Sequence, residues 1–182
     1  MLERNMDPMN IETKRAPSVA NLLATTPDLS LFGDVYRAEV DRLLGVVASV
    51  QSTEQYLRRP VETATTFVGP NALAIDMLVR HLIAAESHWL SLLPSLRAGA
   101  VMTLPNPPVL PDSLAKESVE AAYQDKVLVF LPEVLGMTEA AAREPIVFRS
   151  KEYEKRAFLW VLLVHHSYHL GQIDLMLRQQ NV

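Results

Sequence analysis

The amino-acid sequence predicts an all-α protein that folds as a four-helix bundle. The chain contains 12 prolines but only 6 glycines, and apolar residues recur at helical spacing between the proline-containing gaps. Strand-rich folds usually carry more turn glycines and more alternating segments. With 182 residues and 49% hydrophobic residues, the chain can bury the core of one ordinary domain.

The first two helices are bounded by caps and prolines. The first starts at Asp34, a suitable N-cap, and a short extension over 53–59 stops before Pro60. The second covers about 71–93, where apolar residues recur every three or four positions. Pro94 ends this helix, because proline cannot continue the hydrogen-bond ladder.

The second half of the chain predicts two further helices. One covers about 112–136, with a kink at Pro132, and the last covers about 150–180. Residues 1–30 show little periodicity, so we expect a loosely docked lead-in before a bundle domain at 31–182. We interpret helices of about three to eight turns, joined by loops of about ten to fifteen residues, as a four-helix bundle.

Charge and composition exclude several classes of protein. Lys and Arg number 17 against 21 Asp and Glu, which disfavours a nucleic-acid partner. The longest apolar run, over 157–164, is far shorter than the roughly 20 residues that span a bilayer. We therefore expect a cytoplasmic protein without a membrane partner. Zero cysteines exclude a cysteine nucleophile or an iron–sulfur cluster, so any metal site must use nitrogen and oxygen ligands.

All five histidines fall on two predicted helices. His81 and His88 lie on the second helix, and His165, His166 and His169 lie on the fourth. Residues four apart share a helical face with Cβ atoms about 5–6 Å apart, close enough for two imidazoles to bind one metal ion. His165 and His169 have this spacing.

The helical periodicity predicts which histidines point inward. His81, His165 and His169 fall on the apolar stripes of their helices. His166 lies about 100° around the last helix from its stripe. His88 lies about 10 Å further along its helix than His81, so one metal ion could not bind both. Two interpretations remain open for the inward three: a metal site, or buried histidines that hydrogen-bond one another. For His88 and His166 we expect ordinary roles as pocket-lining or core residues.

Two segments resemble a known family. Residues 164–173 read VHHSYHLGQI and are followed by a Leu-Arg pair at 177–178, similar to the last-helix signature of the DinB/YfiT-like family. Residues 77–90, which read MLVRHLIAAESHWL, resemble the family's second helix with its single histidine. The stretch around 52–57 is also similar, and the resemblance covers roughly residues 30–180.

The resemblance implies a four-helix bundle, commonly a homodimer, with a divalent metal ion held by His81, His165 and His169. It does not distinguish zinc, nickel, iron or manganese. Leu170 departs from the pattern, because the family usually has arginine there. The departure weakens what the resemblance implies about the substrate more than what it implies about the metal.

Other residues are secondary candidates. We expect Glu86 and Asp174 to face solvent, with the orientation of a ligand imidazole as the alternative. Gln172 follows His169 by one turn and is placed either to hydrogen-bond into the site or to pack as a polar residue. Trp160 and Tyr168 are expected to pack between helices or in a dimer interface.

The functional hypothesis is a metal-dependent enzyme acting on a small-molecule substrate. Relatives in the resembled family include thiol-dependent S-transferases and a thiol-dependent isomerase, so a low-molecular-weight thiol is the expected co-substrate. A hydrolase that uses water as the nucleophile would need the same ligands. A non-catalytic bundle that binds metal is the third hypothesis, and the sequence does not separate the three.

Overall fold

The computed structural model describes residues 29–58, 74–104 and 113–180, and these residues are mostly helical. The first helices are α1 (Leu29–Ala48), α2 (Thr53–Leu57) and α3 (Ile75–Leu92). Three short helices follow: α4 (Val119–Lys126), α5 (Leu131–Leu135) and α6 (Glu139–Ala142). A hairpin of β1 (Pro145–Phe148) and β2 (Lys151–Glu154) then leads into α7 (Lys155–Gln180), and single 3-10 turns occupy Leu93–Ser95, Lys116–Ser118 and Leu128–Phe130.

Helix α7 contacts both α1 and α3, while α4 contacts α3 and α5 contacts α1. Each long helix contributes one buried stripe at helical spacing. On α3 the stripe is Ile75, Val79, Leu82, Ile83, Glu86 and Leu90, and on α7 it is Leu159, Leu162, His166, Leu170, Ile173 and Leu177. Apart from Glu86 and His166, these residues are apolar and belong to one continuous core.

The boundaries of α1 and α3 correct the sequence prediction in detail. Helix α1 begins at Leu29, so the prediction of an N-cap at Asp34 is wrong: Asp34 is an exposed residue inside the second turn. Helix α3 begins at Ile75 and passes at Leu92 into a 3-10 turn that contains Pro94. Residues 1–28 and 59–73 lie outside the described residues. The first range contains most of the predicted lead-in over 1–30.

The predicted continuous helix over 112–136 is wrong. The helix breaks at Val127, whose backbone (φ −118°, ψ −62°) departs from the α-helical geometry of its neighbours. A 3-10 turn follows, and Pro132 lies in the first turn of α5, where its missing N–H removes no hydrogen bond. The predicted kink at Pro132 is therefore wrong, because a new helix begins there.

The hairpin makes the prediction of an all-α fold wrong over 145–154. Strands β1 and β2 pair antiparallel, with Ile146 opposite Tyr153 and Phe148 opposite Lys151. Ile146 and Phe148 are buried in the same core as the helices, so one face of the hairpin packs against them. Four-residue strands are too short to give a readable period of two, and for this reason the sequence pattern missed them.

Trp160 packs between helices, as predicted. It is partly buried against the core, and its ring makes an edge contact with Phe32 of α1 at 6.4 Å. Tyr168 is 62% exposed, so its predicted packing between helices is wrong among the described residues. A role for Tyr168 in a dimer interface stays a prediction.

A buried polar network joins α1, α3 and α7. Glu86 is fully buried, and its Oε2 accepts a 2.6 Å hydrogen bond from the Tyr36 hydroxyl. Its Oε1 accepts a 2.8 Å hydrogen bond from Nδ1 of His166, whose Nε2 donates to the Glu39 carbonyl at 3.2 Å. The prediction that Glu86 faces solvent is therefore wrong, because the carboxylate is satisfied inside the core.

His166 is the histidine at the centre of the buried face. Both of its ring nitrogens face oxygens that can accept hydrogen bonds, and this arrangement favours the imidazolium form of the ring. Burial opposes protonation, but the charge and hydrogen bond of Glu86 outweigh it, and the pKa of His166 is raised. Burial and the charge of Glu86 likewise hold the pKa of the Tyr36 hydroxyl well above its ordinary value.

The network predicts a large effect of a substitution at Glu86. Glu86→Leu should lower the free energy of unfolding by about 3–5 kcal/mol, because it leaves the His166 imidazolium buried without its partner. Glu86→Gln should cost less, since the amide oxygen still accepts one hydrogen bond. Urea denaturation followed by circular dichroism measures both.

Asp174→Asn is the matched control for Glu86. Asp174 pairs with Arg178 on the surface of α7 at 2.8 Å, so its loss should change the free energy of unfolding by less than about 1 kcal/mol. An equally small effect of Glu86→Leu would contradict the role assigned to the buried network.

Candidate metal centre

Helices α3 and α7 bring His81, His165 and His169 together. One nitrogen of each lies within 4.8 Å of the other two, and Nε2 of His81 is 3.1 Å from Nε2 of His165. The ring centroids are separated by 4.6 to 5.1 Å. The i, i+4 spacing on α7 supplies two of the rings, and the packing of α3 against α7 supplies the third.

These histidines lie at the edge of the core and not inside it. His81 is exposed, while His165 and His169 are half-buried. The prediction that all three point into the bundle is therefore wrong by about one residue in helical phase, since the buried stripes centre on Glu86 and His166. One side of the cluster is open to solvent as a result.

Gln172 fixes the orientation of His169. Its Oε1 accepts a 2.7 Å hydrogen bond from Nδ1 of His169, and its amide donates to the Tyr168 hydroxyl at 3.2 Å. Because Nδ1 carries the hydrogen, Nε2 of His169 keeps its lone pair. Of the two readings of Gln172, the hydrogen bond into the site is the one observed.

The inner side of the cluster is apolar. The ring of Trp89 lies 5.1 Å from that of His165 and makes edge contacts with Phe148 and Phe158. Trp89 is 3% exposed, and its indole N–H donates to the Thr103 carbonyl at 3.2 Å. The cluster therefore contacts buried aromatic side chains on one side and is exposed to solvent on the other.

The electrostatics favour neutral imidazoles. Burial, with repulsion from the other two histidines, lowers the pKa of His165 to about 3. Partial burial also lowers the pKa values of His81 and His169, and the Gln172 hydrogen bond opposes the shift at His169. Neutral imidazole is the form that coordinates a metal ion.

The remaining predicted candidates lie away from the cluster. The half-buried His88 hydrogen-bonds the Thr103 hydroxyl through Nε2 at 3.0 Å, which fits its expected ordinary role. Asp174 pairs with Arg178 at the surface of α7, as expected of a solvent-facing carboxylate. Leu170 is 1% exposed and packs in the core on the His166 face.

The pairing of Glu86 with His166 is not among the predictions from the sequence. A usable signal existed, because Glu86 follows Val79 and Leu82 at helical spacing and precedes Leu90. A stripe counted through Ile75 and Leu90 would have placed Glu86 in the core. The prediction from the sequence instead follows the neighbouring stripe through His81 and His88.

The donor set fits a divalent ion of the zinc type. Three imidazole nitrogens converge, and at typical zinc–nitrogen distances of about 2.0–2.1 Å two nitrogens 3.1 Å apart can bind one ion. Nδ1 of His165 is buried without a hydrogen-bond partner among the described residues. Three protein ligands and an open side are the arrangement of a site that also accepts a small ligand.

The fold and the site together define a mostly helical protein with a candidate three-histidine metal centre. The family model of the DinB family matches residues 68–180, more than half of the chain. The chain therefore belongs to the DinB family. The matched region contains all three clustered histidines, and no curated protein matches the chain.

The site predicts which histidines retain metal. Removing one ligand, as in His169→Ala or His81→Ala, should abolish stoichiometric binding, because two imidazoles hold a divalent ion far more weakly than three. Elemental analysis of the untagged protein after gel filtration measures the occupancy. His88→Ala is the matched control, since it removes an imidazole from the same helix outside the cluster.

Gln172→Leu should give an intermediate result. Loss of a partner that orients a ligand imidazole commonly weakens metal affinity about 10–100-fold, so occupancy should fall in the presence of a competing chelator.

Full metal retention by His169→Ala would overturn the ligand assignment.

The lowered pKa of His165 predicts a pH dependence of stability in the metal-free protein. The unfolded chain binds a proton at His165 near pH 6.5 and the folded chain near pH 3, so stability is lost as the pH falls between these values. His81 and His169 act in the same direction, whereas His166 acts in the opposite one. Urea denaturation at several pH values should show this loss.

His165→Asn serves as the comparison for the pH experiment. Carboxylates also titrate in this range, so the informative quantity is the difference between the wild type and the variant. The variant should lose less stability than the wild type on acidification. Parallel pH profiles would contradict the desolvated state of His165.

Proposed function

We propose that the protein is a metal-dependent enzyme whose divalent metal ion is bound by His81, His165 and His169. The observation that supports this most directly is the convergence of one nitrogen from each histidine within 4.8 Å, with His81 open to solvent. A structural metal site is usually closed by a fourth protein ligand. Among the described residues no fourth His, Cys, Asp or Glu belongs to this group.

When bound, a divalent ion supplies a Lewis acid that favours the anionic form of a nucleophile at neutral pH. The chain's own residues supply the rest of the site. Gln172 orients His169, Trp89 excludes water from the inner side, and the exposed side at His81 admits the reactants. A proton released from the nucleophile leaves to solvent on this open side.

We propose a small thiol as the nucleophile. The resemblance to a family with thiol-dependent S-transferases favours this choice, and the acceptor would be a small electrophile. The chain contains no cysteine, so the sulfur has to arrive with a low-molecular-weight cofactor. Hydrolysis is the second candidate, favoured by the solvent exposure of His81, which gives water access to the same nitrogens.

The wider description belongs to the same proposal. We propose that α1, α3, the α4–α5 pair and α7 form a four-helix bundle of the DinB type, and that the protein is a cytoplasmic homodimer acting on a small molecule. No helix among the described residues is long and apolar enough to cross a bilayer. Light scattering tests the dimer independently of catalysis.

A single activity panel separates the two chemistries. Metal-loaded wild type is incubated with chlorodinitrobenzene or nitrophenyl acetate, each with and without glutathione, cysteine or coenzyme A. Product formation that requires a thiol supports S-transfer, whereas ester cleavage without a thiol supports hydrolysis. We expect thiol-dependent turnover that falls to background in His169→Ala, because that variant lacks a ligand.

His88→Ala is the control variant, and it should keep wild-type turnover because His88 lies outside the cluster. Full metal occupancy without turnover of either substrate, and without any thiol binding by calorimetry, would contradict both enzymatic proposals. It would leave a metal-binding protein without catalysis.

A further inference from the structure

Helix α7 is apolar on its outer face as well as on its buried face. Val164 is 68% exposed, Tyr168 is 62% exposed and Leu175 is 48% exposed. No Lys, Arg, Asp or Glu occurs between Arg156 and Asp174. A solvated protein surface normally carries charge at about a quarter to a third of its positions, so this face has the character of a contact surface.

The residues of this outer face repeat with the period of a contact between two helices. They alternate in steps of four and three along α7, which is the spacing of the apolar residues in a coiled coil. We call these residues the outer seam: Ala157, Val161, Val164, Tyr168, Gly171 and Leu175. The first two are half-buried, and the other four are exposed. The seam lies on the side of α7 opposite the buried His166.

Gly171 is a seam residue that the packing of the single chain does not require. It lies inside α7, where glycine is destabilising relative to alanine. A Cβ atom built at this position would meet no atom of another part of the chain within 4 Å. The space beside Gly171 therefore opens outward, where the side chain of a partner can enter.

The absence of charge on the outer seam indicates which kind of partner fits it. A nucleic acid or an anionic membrane surface is bound by lysine and arginine, and the seam contains neither. A charged protein surface would lose its water there without gaining an ion pair. A second copy of this chain brings an equally uncharged seam, so no charge is buried without a partner.

The outer seam is complementary to itself when two α7 helices run antiparallel. Pairing about a point midway between Tyr168 and Gly171 places Tyr168 opposite the partner's Gly171. The same pairing places Val164 opposite the partner's Leu175. A large ring then lies over a glycine in each half of the contact. A parallel pair would bring two tyrosines together and two glycines together, which gives one crowded layer and one empty layer.

The size of the seam suits the centre of a dimer interface. With a rise of 1.5 Å per residue and a helix width of 10–12 Å, it covers roughly 300 Å² of each copy. A standard interface takes about 800 Å² from each partner, so the flanks of the seam have to contribute as well. On the α1 side, Leu31 is 51% exposed and lies next to Phe32, whose ring contacts Trp160 one turn before Val164.

We propose that two copies of this protein associate through antiparallel contact of their outer seams. The proposal rests on the homodimer of the proposed function, and it adds the surface and the orientation. Tyr168 connects this surface with the candidate metal centre, because its ring lies 5.2 Å from that of His169 and its hydroxyl accepts a hydrogen bond from Gln172. The interface thus adjoins the three-histidine cluster.

Disulfide cross-linking tests the orientation, and the lack of native cysteines makes it specific. Full-length Val164→Cys and Leu175→Cys are oxidised separately and as an equilibrated mixture. We expect the mixture to form the covalent dimer, because position 164 of one copy faces position 175 of the other. Val129→Cys, at a residue that is 56% exposed on the Leu128–Phe130 turn, is the control and should not cross-link to either variant.

Gly171→Leu tests the contact without disturbing the fold. The chain has room for the side chain, and leucine favours a helix more than glycine does, so the Tm should not fall below that of the wild type. The leucine occupies the place of the partner's Tyr168, and the dissociation constant of the dimer should rise at least about tenfold in sedimentation equilibrium. Gly45→Leu is the matched control, since Gly45 is an equally open glycine on α1, and it should keep the wild-type constant.

The outcomes separate this inference from the proposed function. A dimeric wild type whose dissociation constant is unchanged by Gly171→Leu overturns the inference and leaves the homodimer in place. Cross-links of each seam variant with itself, but none in the mixture, overturn the antiparallel orientation. A monomeric wild type overturns both the inference and the homodimer, while elemental analysis and the activity panel report on the metal-dependent enzyme separately.

Discussion

The hydrogen-bonded contact between Glu86 and His166 determines how the helices of this protein fit together. A carboxylate and an imidazolium are both fully buried, and each would be strongly unfavourable there without the other. Their geometry fixes the rotation of α7 relative to α3, and the Tyr36 hydroxyl ties α1 to the same carboxylate. Apolar contacts alone tolerate small rotations of packed helices, whereas a network with three directional hydrogen bonds does not.

The position of the candidate metal centre follows from that constraint. With His166 held at the middle of the buried face, His165 and His169 lie beside it at the edge of the core, where His81 of α3 meets them. The edge position combines two requirements of the proposed metal site. Burial lowers the pKa of His165 and so favours the neutral imidazole that can bind a metal ion, while His81 is exposed to solvent.

The hairpin is where the local sequence agrees least with its conformation. Arg149 and Ser150 are poor residues for a left-handed turn, and a more stable hairpin would use glycine or asparagine there. Residues that disagree with the conformational preference of their own backbone position concentrate at functional sites, because function there takes precedence over stability. Here the strained turn carries an exposed arginine whose guanidinium lies over the Phe148 ring.

The sequence by itself determined the helical character of α1, α3 and α7 and the histidines that can share a metal ion. Apolar periodicity and i, i+4 spacing are local properties of one helix, and both survive small errors of phase. Only the tertiary structure decided which face of each helix is buried. Along α3 and α7, stripes that differ by one residue are similarly apolar. Which stripe is buried depends on the hydrogen bond between Glu86 and His166 across the interface of the two helices. The hairpin also needed the tertiary structure, since its short strands are stabilised by burying Ile146 and Phe148 against helices distant in sequence.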